Sequence, residues 1–312
     1  MNILILGAGG IVSKYLVKHC PAHVRLSLAY GSRRPQMPAG SPIVRVQSVV
    51  LEDPLSLRRL LVRAQPDVII NAAGMNSVDE AEMQPERCHA INVGVVDSLL
   101  ALAAPASRLV QLSTNAVYGD GASAPFRPTD PRRPANVYGM AKRDAEDLVA
   151  SAGAERHLVV RLSPLYGWSP ASARQNPLPW IDSTLAAGQR IRLCDDILDS
   201  PLAADVAAAI IWRLICAEAT GTYNIGGRET VSRYGLGLAI ASVFDRDAGL
   251  IEPVPFSAFP QLAARARDTS LDDDRLRIEF GYLPESLMEG LRRMRDEPVP
   301  AAATSDPVRA SQ

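Results

Sequence analysis

The chain has 312 residues, enough for one large domain or two modest ones at roughly 100–200 residues per domain. Apolar residues make up 47% and charged residues 21%, an ordinary globular composition that excludes an intrinsically disordered chain. The net charge of −1 leaves no basic surplus, so neither nucleic acid nor a membrane surface is expected as a partner.

Short apolar runs alternate with helical stretches through the first half. Ile3 to Leu6 reads as a buried strand, followed by Gly7-Ala8-Gly9-Gly10 and a helix to His19. A second strand runs from Val24 to Ala29, and a Pro- and Arg-rich loop from Gly31 to Pro42. Asp53-Pro54 has the form of an N-cap with proline at the first helical position, opening a helix to about Ala64. Asp67 to Asn71 is a strand, Glu86 to Ala103 a helix, Arg108 to Leu112 a strand, Ala135 to Ala150 a helix and His157 to Leu162 a strand. Such alternation predicts an α/β fold, a doubly wound parallel Rossmann-like sheet buried on both faces.

Regularity fades after Arg161. Prolines 164, 170, 177 and 179 mark a loop leading to a helix near Ile181–Ala187; a helix at Asp205–Ala217 and a strand at Thr222–Ile225 return to the main sheet. Residues 1–166 and 201–227 are therefore expected to form a dinucleotide-binding domain, with 167–200 and 228–297 a small C-terminal α/β substrate domain. Residues 298–312, rich in Pro, Ala and Ser, are expected to be a disordered tail.

Cys20, Cys88, Cys194 and Cys216 are scattered and the four histidines form no ligand pattern, so neither a disulfide framework nor a metal is expected. The apolar N-terminus is too short for a signal h-region, and Ala203–Ala217 is too short and too charged to span a bilayer. A cytoplasmic protein is expected.

Four features carry chemistry. The Gly-rich turn (Gly7, Gly9, Gly10, then Ile11, Val12 and Ser13) joins the first strand to the first helix, where bare backbone and a helix N-terminus suit a pyrophosphate. The second strand ends in Ser32-Arg33-Arg34, where an NAD site would present Asp or Glu to the ribose; two arginines and a serine there suit a 2′-phosphate and predict NADPH over NADH. Tyr138 and Lys142 share one helix face, and none of the other seven tyrosines has a lysine four residues on. An ammonium beside a phenol is expected to lower its pKa, which a tyrosine acid or base needs. Ser113 and Thr114 end the strand from Arg108, pointing hydroxyls toward the ligand crevice. Only three cations are lysines, against thirty arginines. Lys14 and Lys18 are expected on a solvated helix face, which leaves Lys142 as the one whose ammonium matters.

Together these residues resemble the extended short-chain dehydrogenase/reductase superfamily, and within it the dTDP-4-dehydrorhamnose reductase-like group. Asp67-Val68-Ile69-Ile70-Asn71-Ala72-Ala73-Gly74, Val78-Asp79-Glu80-Ala81-Glu82, Asn92, Ser113-Thr114, Tyr138-Gly139-x-x-Lys142, Asp195-Asp196, Ser200-Pro201 and Gly221-Thr222-Tyr223-Asn224 match its motifs, over nearly the whole chain. The resemblance implies a nucleotide-sugar 4-keto reductase. Thr114 would hydrogen-bond the keto oxygen, Tyr138 would protonate it, Lys142 would tune Tyr138 and hold the nicotinamide ribose, and Asn92 would complete a proton relay. Ala72, Ala73, Gly74, Pro164 and Leu165 would line the cofactor, Asn176 and Arg265 would meet the sugar nucleotide, and a homodimer is implied.

Departures bear on specificity. Asn115-Ala116 stands where related dehydratases need an acidic pair, which argues against dehydration. Ser13 replaces the third glycine of the turn, and Val50 an Asp that often meets the adenine. Asp199 and Ala266 break the G-S-P and R-P motifs. Two other readings stay open: a 4-epimerase that retains NAD, and a non-catalytic regulatory subunit like that of methionine adenosyltransferase.

Overall fold

The computed structural model describes residues 1–35, 43–120, 124–169, 176–260 and 262–297. The expected tail (298–312) and most of the loop before Pro42 lie outside them. In chain order come β1 (Asn2–Leu6), α1 (Ile11–Lys18), β2 (Arg25–Tyr30), β3 (Ile43–Ser48), α2 (Pro54–Ala64), β4 (Val68–Asn71), α3 (Val78–Met83) and α4 (Pro85–His89). A π-helical turn (Ala90–Gly94) leads to α5 (Val95–Leu102), β5 (Arg108–Thr114), α6 (Val137–Ser151), β6 (Leu158–Leu162), β7 (Leu165–Tyr166), α7 (Pro177–Ala186) and β8 (Ile191–Cys194). The rest is β9 (Leu198–Asp199), β10 (Leu202–Ala203), α8 (Ala204–Cys216), β11 (Gly221–Ile225), β12 (Val231–Ser232), α9 (Arg233–Val243), β13 (Ile251–Val254), α10 (Asp274–Phe280) and α11 (Leu287–Asp296).

Seven strands form one parallel sheet in the order β11-β6-β5-β4-β1-β2-β3. Strand side chains alternate between faces, so an all-apolar run feeds two cores at once. Ile3 and Ile5 join Leu26, Ile70 and Val160 under α1 and α8, while Leu4 and Leu6 join Ile69, Leu109 and Val159 under α2, α5 and α6. The order reverses between β1 and β4, where a crevice opens beyond the carboxyl ends of the strands. Asp53 caps α2 through its side chain, with Pro54 at the first position. The sequence reading passed over β3, an edge strand.

A second core lies beyond that crevice. Trp168, Leu178, Ile181, Leu193, Leu236, Ile240 and Leu291 pack α7, α9 and α11 around the β8–β13 pair. The short antiparallel β9–β12 pair brings residue 199 back toward the large sheet.

Lys14 corrects the sequence reading. Lys14 is not simply solvated: its Nζ donates to the Trp168 carbonyl at 3.0 Å, sits 3.5 Å from Glu297 and lies 4.5 Å from the Tyr15 ring centroid. Burial lowers its pKa, against the pull of Glu297. Lys18, more exposed, pairs with the same carboxylate at 3.1 Å. Glu297, just past α11, thus ties the second core to α1, with Tyr15 donating to it at 3.0 Å.

Candidate active site

The crevice is a cleft of about 700 Å³, walled by the first turn of α1, the ends of β5 and β6, the start of α6, and residues of the second core. β1 ends at Gly7, whose φ of +87° and 2.5 Å approach to the Ala72–Ala73 backbone leave no place for a Cβ. Gly10 then caps α1 with no side chain closing its first turn, so backbone N–H groups of Ile11, Val12 and Ser13 face the cleft. Ala72, Ala73, Pro164 and Leu165 line it as expected. Gly9 packs against the Arg33 backbone, which places the Ser32-Arg33-Arg34 corner beside the glycine turn and outside the cleft itself.

β5 delivers Thr114 to the middle of the cleft. Alternation along the strand sends Ser113 the other way, to donate to buried Glu146. Thr114 accepts from the Ala116 amide at 3.1 Å, closing a short turn, and its hydroxyl donates to Asn115 Oδ1 at 3.2 Å. α6 starts against that turn. Asn136 caps it, accepting from the Gly139 amide at 2.9 Å, and donates its own amide to the Ala264 carbonyl across the cleft at 2.9 Å. Tyr138 and Lys142 then face inward, both buried.

The electrostatics differ from the sequence expectation. Burial pushes Tyr138 up to about 12, and a hydrogen bond with Thr114 recovers only part of that. Lys142 does not lower the phenol. Its Nζ is held on the Leu112 carbonyl at 2.6 Å, and burial brings it down to about 8 against the opposing pull of Glu146. Glu146 lies one turn further along α6, where Arg161 grips it at 2.7–3.1 Å, with both side chains almost fully buried.

Asn92 is buried. Its Oδ1 accepts from the Met75 amide at 3.0 Å, and its Nδ2 donates to the Met75 carbonyl at 3.1 Å and to Cys88 Sγ at 3.2 Å. Both ends of the amide are spent on holding the loop after β4. The side chain also fills the space beside Gly74. Asn176 caps α7 and lines the wall. Arg265 lines it too, anchored to Asp79 at 3.0 Å. Sequence reasoning missed Arg192, Arg233, Trp180 and Phe256, cleft residues contributed by the second core. They carry no local motif; only Asn136, a capping residue ahead of an apolar helix, had a signal.

Two variants test this geometry. A Cβ on Gly139 would lie 2.2 Å from the Ala116 carbonyl oxygen. Gly139→Ala is therefore expected to destabilise by about 1–3 kcal/mol in urea unfolding. Glu146→Gln leaves Arg161 buried and unpaired, and is expected to cost about 3–5 kcal/mol by the same measurement.

The RmlD substrate binding domain family matches residues 1–299. A dTDP-4-dehydrorhamnose reductase of Salmonella typhimurium is 28% identical over 261 residues, covering 78% of this chain and 84% of that one. A probable low-salt glycan biosynthesis reductase of Haloferax volcanii is 27% identical over 295 residues, 93% of this chain and 96% of its own. The dTDP-4-dehydrorhamnose reductase of Bacillus anthracis, solved in complex with NADP, has the same fold, with a TM-score of 0.80 at 22% identity over 94% of this chain and 98% of that one. The chain belongs to the RmlD substrate binding domain family.

Proposed function

We propose that the protein is an NADPH-dependent reductase of a nucleotide-diphosphate 4-keto-6-deoxyhexose, acting in deoxysugar or polysaccharide biosynthesis. Support comes from one convergence. Thr114, Tyr138 and Lys142 meet in the same cleft as the uncapped N-terminus of α1, so groups for carbonyl reduction stand beside groups for a dinucleotide phosphate. The bare backbone at Gly10 and the small side chains of Ala72 and Ala73 fit such a cofactor. The Arg33-Arg34 corner next to Gly9 suits a 2′-phosphate better than a free ribose hydroxyl. When bound, NADPH supplies the hydride.

The chain's own residues do the rest. Thr114, fixed by the turn it caps, holds the keto oxygen. Tyr138 gives that oxygen its proton, and a phenol raised to about 12 is protonated throughout the neutral range, ready as an acid. An epimerase needs the same tyrosine to take a proton first, and burial that keeps the phenol protonated supports the reductase direction. Lys142, held on the Leu112 carbonyl, offers its remaining N–H groups to a ribose and its charge to the developing phenolate. Asn115 and Ala116 provide no carboxylate at the strand end, which argues against dehydration. Arg192, Arg233 and Arg265 give the second core's wall the positive charge that a sugar-nucleotide diphosphate needs.

Tyr138→Phe is expected to cut turnover of a 4-keto sugar nucleotide by about 10²–10⁴-fold, followed by NADPH absorbance. An unchanged rate would remove the mechanism. The pH profile follows from Lys142. Its ammonium persists below about 8 and is lost above, so kcat/KM should be level on the acid side of that value and fall as pH rises through it. In Lys142→Arg, whose guanidinium does not titrate there, any remaining activity should lack that alkaline limb.

A further inference from the structure

A cleft meant for an anionic sugar nucleotide should avoid negative charge. Among the described residues, one carboxylate nevertheless lies in its wall: Asp199, at the end of β9. It stands where the motif of the resembling group has glycine, so the side chain is an addition to the cleft. Both of its hydrogen bonds end on the same oxygen. Oδ1 accepts from Asn115 Nδ2 at 2.8 Å and from Thr269 Oγ1 at 2.7 Å, while Oδ2 accepts none from the described residues. Asn115 in turn accepts from Thr114 at 3.2 Å. The carboxylate is therefore two hydrogen bonds from the group that holds the keto oxygen. Burial raises its pKa, while Thr269, Arg233 and Asn115 oppose the rise.

We propose that Asp199 is a specificity residue, accepting through Oδ2 a hydrogen bond from a donor on the sugar carbon next to the carbonyl. The proposal rests on the reductase reading above. In a 4-keto-6-deoxyhexose, carbon 5 carries only hydrogen and the methyl branch, so the neighbouring donor is the hydroxyl or amino group at carbon 3. The cleft is thus built for sugars that keep a donor at carbon 3, and it discriminates against 3-deoxy sugars. A site that holds an acceptor for such a group leaves it unpaired when the group is missing, which is the strong form of selectivity. The same placement explains how the cleft tolerates the charge: the carboxylate meets the neutral end of the substrate, with Arg233 facing it.

The test compares two 4-keto-6-deoxy sugar nucleotides that differ only at carbon 3, hydroxyl against hydrogen, with the wild type, Asp199→Ala and Asp199→Asn. The wild type should favour the 3-hydroxy compound. Asp199→Ala should raise its KM by about 10–100-fold with little change in kcat, and should lower the KM of the 3-deoxy compound, which no longer leaves an acceptor unpaired. Asp199→Asn, which keeps an acceptor oxygen and the bulk, should fall between the two and decides the matter if the alanine variant does not fold. Equal losses on both compounds would mean that Asp199 only latches Asn115 to Thr269, and would overturn the proposal alone. No NADPH oxidation with either compound by the wild type would remove the reductase reading, and the proposal with it.

Discussion

The cleft depends on how closely the first turn of α6 lies on the carboxyl end of β5. The contact is backbone against backbone: Gly139 sits on the Ala116 carbonyl with no room for a β-carbon. That approach brings Tyr138 to Thr114 and lets Lys142, one turn later, reach back to the Leu112 carbonyl of the same strand. Three groups from two elements are set by one interatomic limit. Behind them, Ser113 and Arg161 both bind Glu146, so the far side of the helix is held on the sheet by a buried ion pair. Replacing one member of such a pair is costly even where the pair itself adds little stability, because the survivor stays buried and charged.

From that junction the electrostatics follow. A site dry enough to raise a tyrosine and lower a lysine favours the neutral form of both groups. For the proposed proton donor this is useful, since the phenol holds its proton until a stronger base, an alkoxide forming on the substrate, is presented to it. A lysine lowered to about 8 remains largely charged near neutrality, but with little margin. Glu146 opposes the effect of burial on it, so the ion pair that fixes the helix also supports the charge of the Lys142 ammonium.

How much of this was legible in the sequence depended on distance along the chain. Tyr138 and Lys142 announce themselves because four residues is one helical turn, and the Gly7–Gly10 turn because strand, glycines and helix are contiguous. β3 carried an alternating pattern but followed a Pro- and Arg-rich stretch that read as loop. The segment from Glu86 to Ala103 read as a single helix, and its apolar period gave no sign of the π-helical turn at Ala90–Gly94 that carries Asn92. Only the fold shows the Asn92 amide spent on Met75. Arg192, Arg233 and Asp199 meet the cleft from elements far along the chain, and no local pattern encodes that meeting.

The lysines show what local reading could and could not do. In a chain with thirty arginines, the three ammonium groups were a signal, but the inference that two were mere surface charge was wrong for Lys14. Lys14 and Lys142 share a partner type, a backbone carbonyl reached inside a confined slot: Trp168 for one, Leu112 for the other. A guanidinium brings five N–H donors on a rigid plane, which one carbonyl cannot satisfy in a buried place; an ammonium is compact and has three. Where a flat, bidentate acceptor is available the chain uses arginine, as Arg161 does on Glu146. At Lys142 the compact ammonium on a single carbonyl leaves a group that can titrate near neutrality, which arginine could not do.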